Sequence, residues 1–340
     1  MPCSSVGGAM RRRAFIQVLG GVAASSSFFW PLVVKAKDPA MPVIGLLGTT
    51  SLEADARLIP FRQGLKETGF VEGQNVAIEY RWAEARNDRF PALAADLVQR
   101  QVTVIVSLGG TPGALAAKAA TKVIPIVFQA GVDPVAAGLV ASLSRPDGNL
   151  TGVSQLLSST VAKQIELLHE LVPKASIIAL LINPTNQINS KALLRDLEAG
   201  ARTLGLQFQV VQASAPGDFD KAYTTLAELR AGGLVIGPDI FFLSQRDQLV
   251  ALAARHSVPA IYPWREGATA GGLMSYGSSQ TETYRQVGIY TGRILKGEKP
   301  TDLPVQQSTK VEFIINLKTA KALGLTVPNT LIGRADEVIE

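Results

Sequence analysis

The chain has 340 residues, of which 47% are hydrophobic and 18% are charged, and its formal net charge is +5. A chain of this length exceeds what a single hydrophobic core usually supports, so we expect two lobes. It contains 1 cysteine, which excludes a disulfide framework.

Residues 10–36 have the parts of an export leader in the expected order. A basic cluster, Arg11–Arg13, precedes an apolar run from Ala14 to Val34, and small residues around Ala36 suit a cleavage site. The segment Arg12–Ile16 fits the twin-arginine pattern, although Gln17 stands where that pattern often has lysine. We therefore predict a twin-arginine-like export signal peptide over residues 1–36, cleaved near Ala36.

An uncleaved membrane anchor is the alternative for this segment. A membrane span needs about 20 mostly apolar residues in sequence, but Gly20-Gly21, three consecutive serines and Pro31 interrupt this run. The run also lacks the cysteine at its end that a bacterial lipoprotein requires. We therefore expect an unanchored, periplasmic mature protein, translated from Met1 or Met10.

Removal of the leader changes what the composition implies. The leader carries four basic residues and no acidic ones, so the remainder has a net charge of +1. That balance gives no support for nucleic-acid binding. The single cysteine, Cys3, is lost with the leader, which excludes a thiolate nucleophile and a cysteine metal site in the mature chain.

The first half of the mature chain alternates short apolar runs with helical patterns. The runs that we interpret as strands are Val43–Gly48, Val76–Tyr80, Val102–Leu108 and Ile124–Phe128. The helical patterns between them are Leu58–Thr68, Phe90–Gln101 and Gly113–Thr121. Strands that are apolar on both faces and alternate with helices predict a parallel sheet covered on both sides.

The second half repeats this order. Its predicted strands are Ile177–Ile182, Phe208–Val211, Leu234–Gly237 and Ala260–Tyr262. Its predicted helices are Lys191–Leu204, Phe219–Ala231 and Ser244–His256. Corresponding pieces lie roughly 130 residues apart, which suits a duplicated α/β lobe. We therefore predict an α/β fold of two Rossmann-like lobes with parallel sheets.

The remaining elements indicate that the chain crosses between the lobes more than once. We predict a strand at Leu150–Leu157, a helix at Ala162–Leu171, a helix at Thr283–Leu295 and a strand at Val311–Asn316. Repeated crossings would form a hinge with a cleft between the lobes. We assign residues 42–152 plus roughly 280–303 to the N-terminal lobe, and residues 153–279 plus roughly 304–340 to the C-terminal lobe.

In an open parallel sheet, the loops at the carboxyl ends of the strands form the ligand crevice. These loops are rich in glycine, hydroxyl, amide and aromatic residues. The candidate ligand-binding residues that they contain are Thr49, Thr50, Ser51, Gly110, Thr111, Gln129, Asp133, Asn183, Asp239, Tyr262, Trp264, Glu266 and Tyr276.

The segment Gly109–Gly113 has a specific chemical interpretation. Thr111 suits an N-cap and Pro112 suits a first helical turn, so free backbone N–H groups there would favour a carboxylate or phosphate. An ordinary capped helix start is the alternative. In the same way, Asp133 either contacts ligand or caps a helix at Val135–Ser142.

Aromatic and charged residues suggest how a ligand could be held. Tyr262, Trp264 and Tyr276 could stack on a planar or apolar ligand. Arg265 and Glu266 could contact an α-carboxylate and an α-ammonium group, or form an exposed ion pair with each other.

Enzyme chemistry has little support in the sequence. His169 and His256 both lie on predicted helices outside the crevice loops. No cluster has metal-ligand spacing and no nucleophile elbow occurs, so we predict no cofactor, no metal and no catalytic residue. The carboxylates of Asp133 and Asp239 are the alternative, as a pair facing each other across the cleft.

Several segments together resemble the ABC transporter substrate-binding proteins of the tryptophan/tyrosine-binding type. They are Phe61–Leu65, Gly109–Pro112, Asp133–Val135, Arg145–Gly152 and Ile315–Leu325. The resemblance runs from about Met41 to the C-terminus. It implies a type I periplasmic-binding-protein fold, in which two lobes joined by three crossovers enclose a ligand. It also implies delivery of that ligand to an ABC permease coupled to its ATPase.

Three hypotheses follow from this. The leading one is a monomeric binding protein that captures a small amino-acid-like or carboxylated ligand by closure of its lobes. The second is a periplasmic sensor lobe that presents ligand to a receptor kinase. The third is a cleft enzyme that uses Asp133, Asp239 or Glu266 as acid and base.

Overall fold

The computed structural model describes residues 41–50, 56–155, 157–308 and 310–340 of the chain. The predicted export leader and the candidate Ser51 lie outside these ranges. Within them, none of the helices combines the length and the apolar character that crossing a bilayer requires.

The strands form two sheets. In chain order they are β1 Val43–Gly48, β2 Ala77–Trp82, β3 Val104–Ser107, β4 Ile126–Ala130, β5 Leu150–Ser154, β6 Ile177–Ile182, β7 Gln207–Gln212, β8 Gly233–Ile236, β9 Ala260–Tyr262, β10 Met274–Ser278, β11 Gln306–Gln307, β12 Val311–Asn316 and β13 Glu337–Ile339. The first sheet has 6 strands in the order β11-β5-β4-β3-β1-β2, all paired in parallel. The second has 7 strands in the order β13-β12-β10-β9-β8-β6-β7, and its pairings are parallel except β10 with β12.

Helices cover both sheets. They are α1 Leu58–Glu67, α2 Phe90–Gln99, α3 Gly110–Ala120, α4 Val161–Leu171, α5 Gln187–Leu204, α6 Asp218–Glu228, α7 Ile240–Ser244, α8 Arg246–Arg255, α9 Arg265–Thr269, α10 Gln280–Leu295, α11 Leu317–Ala322 and α12 Asn329–Ile332. The predicted α/β fold with parallel sheets is therefore confirmed.

Each sheet is buried on both faces, as the continuous apolar runs of its strands require. In β1, Ile44 and Leu46 belong to the core on one face of the first sheet, and Leu47 belongs to the core on the other. In β6, Leu180 and Leu181 separate in the same way between the two cores of the second sheet. This alternation follows from the period of two along a strand.

The chain passes between the sheets three times, after β5, after β10 and after β11. The second passage leads into α10, which packs closely on α1. A Cβ atom at Gly288 of α10 would lie 2.1 Å from the carbonyl oxygen of Phe61, so the two helix backbones approach where only glycine fits. This contact attaches α10 to the first sheet.

One predicted helix is contradicted by the structure. Residues 135–142 form turns rather than a helix, because Gly138 adopts a positive φ of 71° and the N–H groups of Leu139 and Val140 both donate to the carbonyl oxygen of Pro134. The helix predicted over residues 244–256 is confirmed as α8, and the short helix α7 directly before it was not predicted.

Candidate functional site

Loops at the carboxyl ends of strands from both sheets line a shared cavity, which we call the cleft cavity. Thr49, Gly110 and Gln129 line it from the first sheet, and Asn186, Asp239 and Trp264 line it from the second. It contains about 370 Å³ of empty space, including its open mouth. Because its lining comes from both sheets, a small molecule bound there would contact residues of both.

The N-terminus of α3 forms one end of the cleft cavity. Gly109 is the N-cap residue and provides no side-chain hydrogen bond, and Gly110 begins the helix with a φ of +68°. The first-turn N–H groups of this helix are therefore not capped by a side chain, and together with the helix dipole they favour an anion. The prediction of Thr111 as the N-cap is wrong, because the helix begins two residues earlier, with Gly109 as its N-cap residue.

Asp239 brings a carboxylate to the cleft cavity from the second sheet. It follows β8 and caps α7, where its carboxylate accepts hydrogen bonds from the Phe241 backbone N–H at 2.8 Å and from the Asn186 side-chain amide at 2.8 Å. A third bond comes from the Asn183 amide at 3.3 Å. Burial raises the pKa of Asp239, while these three donors act in the opposite direction. The cleft cavity thus has a carboxylate on one lobe and a helix N-terminus on the other.

Several buried polar atoms around the cleft cavity have no hydrogen-bond partner among the described residues. They are the Thr49 hydroxyl, the Gln129 Oε1, the Asn189 Oδ1 and the Trp264 Nε1. Burying such groups without partners costs about 1–3 kcal/mol each. Both donors and acceptors are present, so the cleft cavity suits a small polar molecule that carries both.

A second cavity adjoins the first, and we call it the side chamber. Thr50, Arg57, Gln280 and Tyr284 line it from the first sheet's side, and Leu243 and Glu266 line it from the second. Ile240 lines both cavities, so the two adjoin there. Burial raises the pKa of Glu266, and the nearby Arg265 and Arg246 oppose this effect less strongly. The Arg57 guanidinium is already engaged, since it donates to the Leu108 carbonyl at 2.9 Å and lies over the Tyr284 ring.

The structure brings most of the sequence-predicted residues to these cavities. Thr49, Gly110, Gln129, Asp239 and Trp264 line the cleft cavity, and Thr50 and Glu266 line the side chamber. Thr111 follows Gly110 in α3, with a fully buried side chain. The Asn183 side-chain amide donates a hydrogen bond to the Asp239 carboxylate.

Three predicted residues lie elsewhere. Asp133 is exposed, and its side chain accepts from the Val135 N–H at 2.8 Å within the turn that follows β4. Tyr276 lies inside β10 rather than in a loop after it, and its ring packs edge-on against Phe313. Tyr262 is 2% exposed in the core of the second sheet, and it lines a smaller cavity that also contains Trp264.

The candidates chosen from the sequence did not include Asn186, Asn189 or Gln280, which also line the two cavities. Asn186 and Asn189 lie at the start of α5, and Gln280 begins α10. The signal available in the sequence was Asn186 itself, an asparagine suited to an N-cap four positions after the end of a strand. The sequence contains no such signal for Gln280. This residue lies where the chain passes from the second sheet back to the first, outside the repeated strand-and-helix pattern.

Neither histidine lines the cleft cavity or the side chamber. His169 belongs to α4, and His256 directly follows α8. In the described part of the chain, no group of three or more histidine, cysteine, aspartate or glutamate residues could hold a metal ion.

Comparisons with known proteins agree with this architecture. Residues 49–339 match the family model described as ABC transporter substrate binding protein. The chain is 30% identical over 265 residues to the tyrosine-binding protein of Clostridioides difficile (strain R20291), which covers 78% of this chain and 75% of that protein.

Solved structures are similar over most of the chain. A Streptococcus pneumoniae ABC domain in complex with L-Trp is 27% identical, with a TM-score of 0.79, and the match covers 88% of this chain and 99% of that one. The ligand-free, open structure of CD0873 from Clostridium difficile is 28% identical over the same shares, with a TM-score of 0.61. More distant type I periplasmic binding proteins share the fold. The chain therefore belongs to the ABC transporter substrate-binding protein family.

Proposed function

We propose that this protein is the extracytoplasmic solute-binding component of an ABC importer and that its ligand is an α-amino acid with an aromatic side chain. The observation that carries this proposal is the pairing of charges across the cleft cavity. The Asp239 carboxylate approaches from one lobe and the uncapped N-terminus of α3 from the other. An α-ammonium beside Asp239 and an α-carboxylate at α3 would match both ends, as a zwitterion does.

The apolar residues around the two cavities favour an aromatic side chain. Trp264 and Ile240 line the cleft cavity, and Leu243, Pro60 and Tyr284 continue the apolar surface into the side chamber. The relatives point to the same ligand class, since one is named for tyrosine and another was solved with L-Trp. Apolar walls with a few placed polar groups are typical of small-ligand sites.

Closure of the lobes is the proposed mechanism. At nearly equal identity, this chain is more similar to the L-Trp complex than to the ligand-free open structure of CD0873, with TM-scores of 0.79 and 0.61. This difference supports an arrangement of the lobes close to the ligand-bound one. A ligand that touches both lobes would stabilise the closed state and shift its population.

The proposed partners follow from the family. The closed, loaded protein would deliver its ligand unchanged to an ABC permease and its ATPase, working as a monomer without a cofactor. Export by the predicted leader and a periplasmic location complete this proposal.

A thermal-shift screen of the twenty amino acids, followed by calorimetry, tests the function. We expect aromatic L-amino acids to raise the melting temperature and to bind with a stoichiometry of one. Mass spectrometry after incubation should recover the ligand unaltered. Turnover of an amino acid, or the absence of any amino-acid binding, would contradict the proposal.

A further inference from the structure

We propose that the side chamber is a subsite for a hydroxyl group at the end of the ligand's side chain, held between Glu266 and Gln280. This inference rests on the proposed function and makes it more specific. It names a tyrosine-like ligand and two residues that distinguish it from phenylalanine.

Gln280 supplies a fixed hydrogen-bond donor. Its side chain is 3% exposed and lines the side chamber. The Gln129 Nε2 donates to the Gln155 Oε1 at 2.9 Å, and the Gln155 Nε2 donates to the Thr283 hydroxyl at 3.0 Å and to the Gln280 Oε1 at 3.5 Å. This direction of donation uses the oxygen of the Gln280 amide. Its Nε2 is left buried with no partner among the described residues.

Glu266 supplies an acceptor from the other lobe. Its Oε2 is buried and has no partner in the part of the chain that the structure describes. The neighbouring Arg265 does not neutralise it through a direct ion pair, because its guanidinium bonds Glu337 at 2.7 Å and Glu312 at 3.4 Å instead. The alternative of an Arg265–Glu266 pair on the surface is therefore wrong, and the Glu266 carboxyl is available to a ligand.

Glu266 and Gln280 together determine which group at the end of the ligand's side chain would bind in the side chamber. A donor from Gln280 and an acceptor from Glu266 are both satisfied by a hydroxyl, which donates and accepts. An indole N–H would satisfy Glu266 only, and a phenyl ring would satisfy neither. The Thr50 hydroxyl, also buried without a partner among the described residues, lines the same chamber.

The side chamber lies where the side chain of an amino acid bound in the cleft cavity could reach it. It adjoins the cleft cavity at their shared lining residue Ile240, and the apolar residues Pro60, Leu243 and Tyr284 line it. An amino acid with its zwitterion in the cleft cavity could thus extend a planar, mostly apolar side chain toward Glu266 and Gln280. A site built to hydrogen-bond a hydroxyl strongly rejects the analogue that lacks it, since its buried polar groups then stay unpaired.

Calorimetric titration of the purified chain with L-tyrosine, L-tryptophan and L-phenylalanine tests this inference without any mutation. We expect affinity to fall in that order, with L-tyrosine at least about tenfold tighter than L-phenylalanine. In Glu266→Leu the ratio between these two should fall at least about threefold, because the acceptor is lost while the Gln280 donor and the apolar walls remain. The matched control is Glu170→Leu, at a glutamate of α4 that pairs with Arg334 and lies outside the side chamber. It should leave the ratio unchanged.

Two results would overturn the subsite. One is equal affinity of the purified chain for L-phenylalanine and L-tyrosine. The other is a tyrosine-to-phenylalanine ratio in Glu266→Leu as high as in the unaltered chain. Either result leaves the proposed function intact, because an aromatic amino acid still binds. Failure of every amino acid to bind is the separate result that contradicts the function itself.

Discussion

The side-chain amides of Gln129 and Gln155 are joined by a buried hydrogen bond of 2.9 Å between the Gln129 Nε2 and the Gln155 Oε1. Gln129 lines the cleft cavity at the end of β4, and Gln155 follows β5, where the chain first leaves the first sheet. Through Gln155 the connection continues to Thr283 in α10, next to the second passage. A ligand contact at the unpartnered Gln129 oxygen would therefore fix the orientation of the amides next to the passages between the two sheets.

Replacing Gln155 by leucine should lower both stability and affinity. The change leaves the Gln129 amide and the Thr283 hydroxyl without this partner in a buried position, and each such loss costs about 1–3 kcal/mol. Urea unfolding and calorimetry with L-tyrosine measure the two effects. The control is Gln248→Leu, whose amide makes one exposed bond to Pro216, and we expect a change within about 0.5 kcal/mol there. Equal stability of the two variants would contradict the buried amide chain.

Replacing Gly110 by alanine should weaken ligand binding as well as stability. Its φ of +68° is strained for alanine by about 1–2 kcal/mol, and the new Cβ atom would lie 3.9 Å from the Gln129 Oε1 at the cleft cavity. Gly138→Ala is the matched control, because its φ is +71° and nothing lies within 4 Å of the added atom. We expect similar losses of unfolding free energy in both variants, but loss of affinity only in Gly110→Ala. Unchanged affinity in that variant would contradict a role of the α3 N-terminus in ligand binding.

Replacing Asp239 by asparagine should change the pH dependence of stability in a defined direction. Burial raises the folded-state pKa of Asp239, so the folded protein binds more protons than the unfolded chain between the ordinary value of 3.8 and the raised one. Stability from this group is therefore lost as pH rises through that window. Asp239→Asn should flatten this fall, as measured by urea unfolding of the ligand-free protein at several pH values.

Asp218 provides a control of opposite sign. Hydrogen bonds from the Ser214 and Ala215 N–H groups lower its pKa, so its contribution is present above the ordinary value and is lost as pH falls through the lowered one. Asp218→Asn should therefore remove stability at neutral pH. A pH profile of Asp239→Asn that coincides with that of the unaltered chain would contradict a buried, raised carboxyl.

Replacing Gly288 by alanine should severely destabilise the first lobe. The added Cβ atom would lie 2.1 Å from the Phe61 carbonyl oxygen and 2.8 Å from the Leu65 nitrogen, so α1 and α10 would have to separate. Overpacking of this kind typically costs about 1–3 kcal/mol or more. Gly217→Ala is the control, since nothing lies within 4 Å of its added atom. Thermal unfolding of both variants gives the comparison, and equal melting temperatures would contradict the close approach of the two helices.

Much of the fold could be predicted from the sequence, because its strands are buried on both faces. The predicted bounds of β1, β6, β9 and β12 agree with the structure. Gly69 and Gly205, which follow predicted helices, have the positive φ values of 91° and 64° that glycine favours at helix ends. Where local pattern and tertiary burial agree in this way, boundaries are reliable.

The predictions failed where tertiary geometry decides the backbone. Residues 135–142 have helical composition, but Gly138 at positive φ turns the chain back on Pro134. Tyr276 looked like a crevice residue because it follows an apolar run, yet its strand continues in antiparallel pairing with β12. Gln155 and Gln280 belong to the passages between lobes, and their pairing spans 125 positions of sequence that no local pattern connects.

The most direct test of the account is calorimetric titration of the chain with L-tyrosine and with two analogues that each lack one charge. Tyramine lacks the carboxylate that α3 would hold, and 3-(4-hydroxyphenyl)propionate lacks the ammonium that Asp239 would hold. Charge-assisted hydrogen bonds contribute about 1.5–3 kcal/mol each, so we predict that L-tyrosine binds and that each analogue binds at least about tenfold more weakly. Binding of either analogue as tightly as L-tyrosine would contradict recognition of a zwitterion between the two lobes.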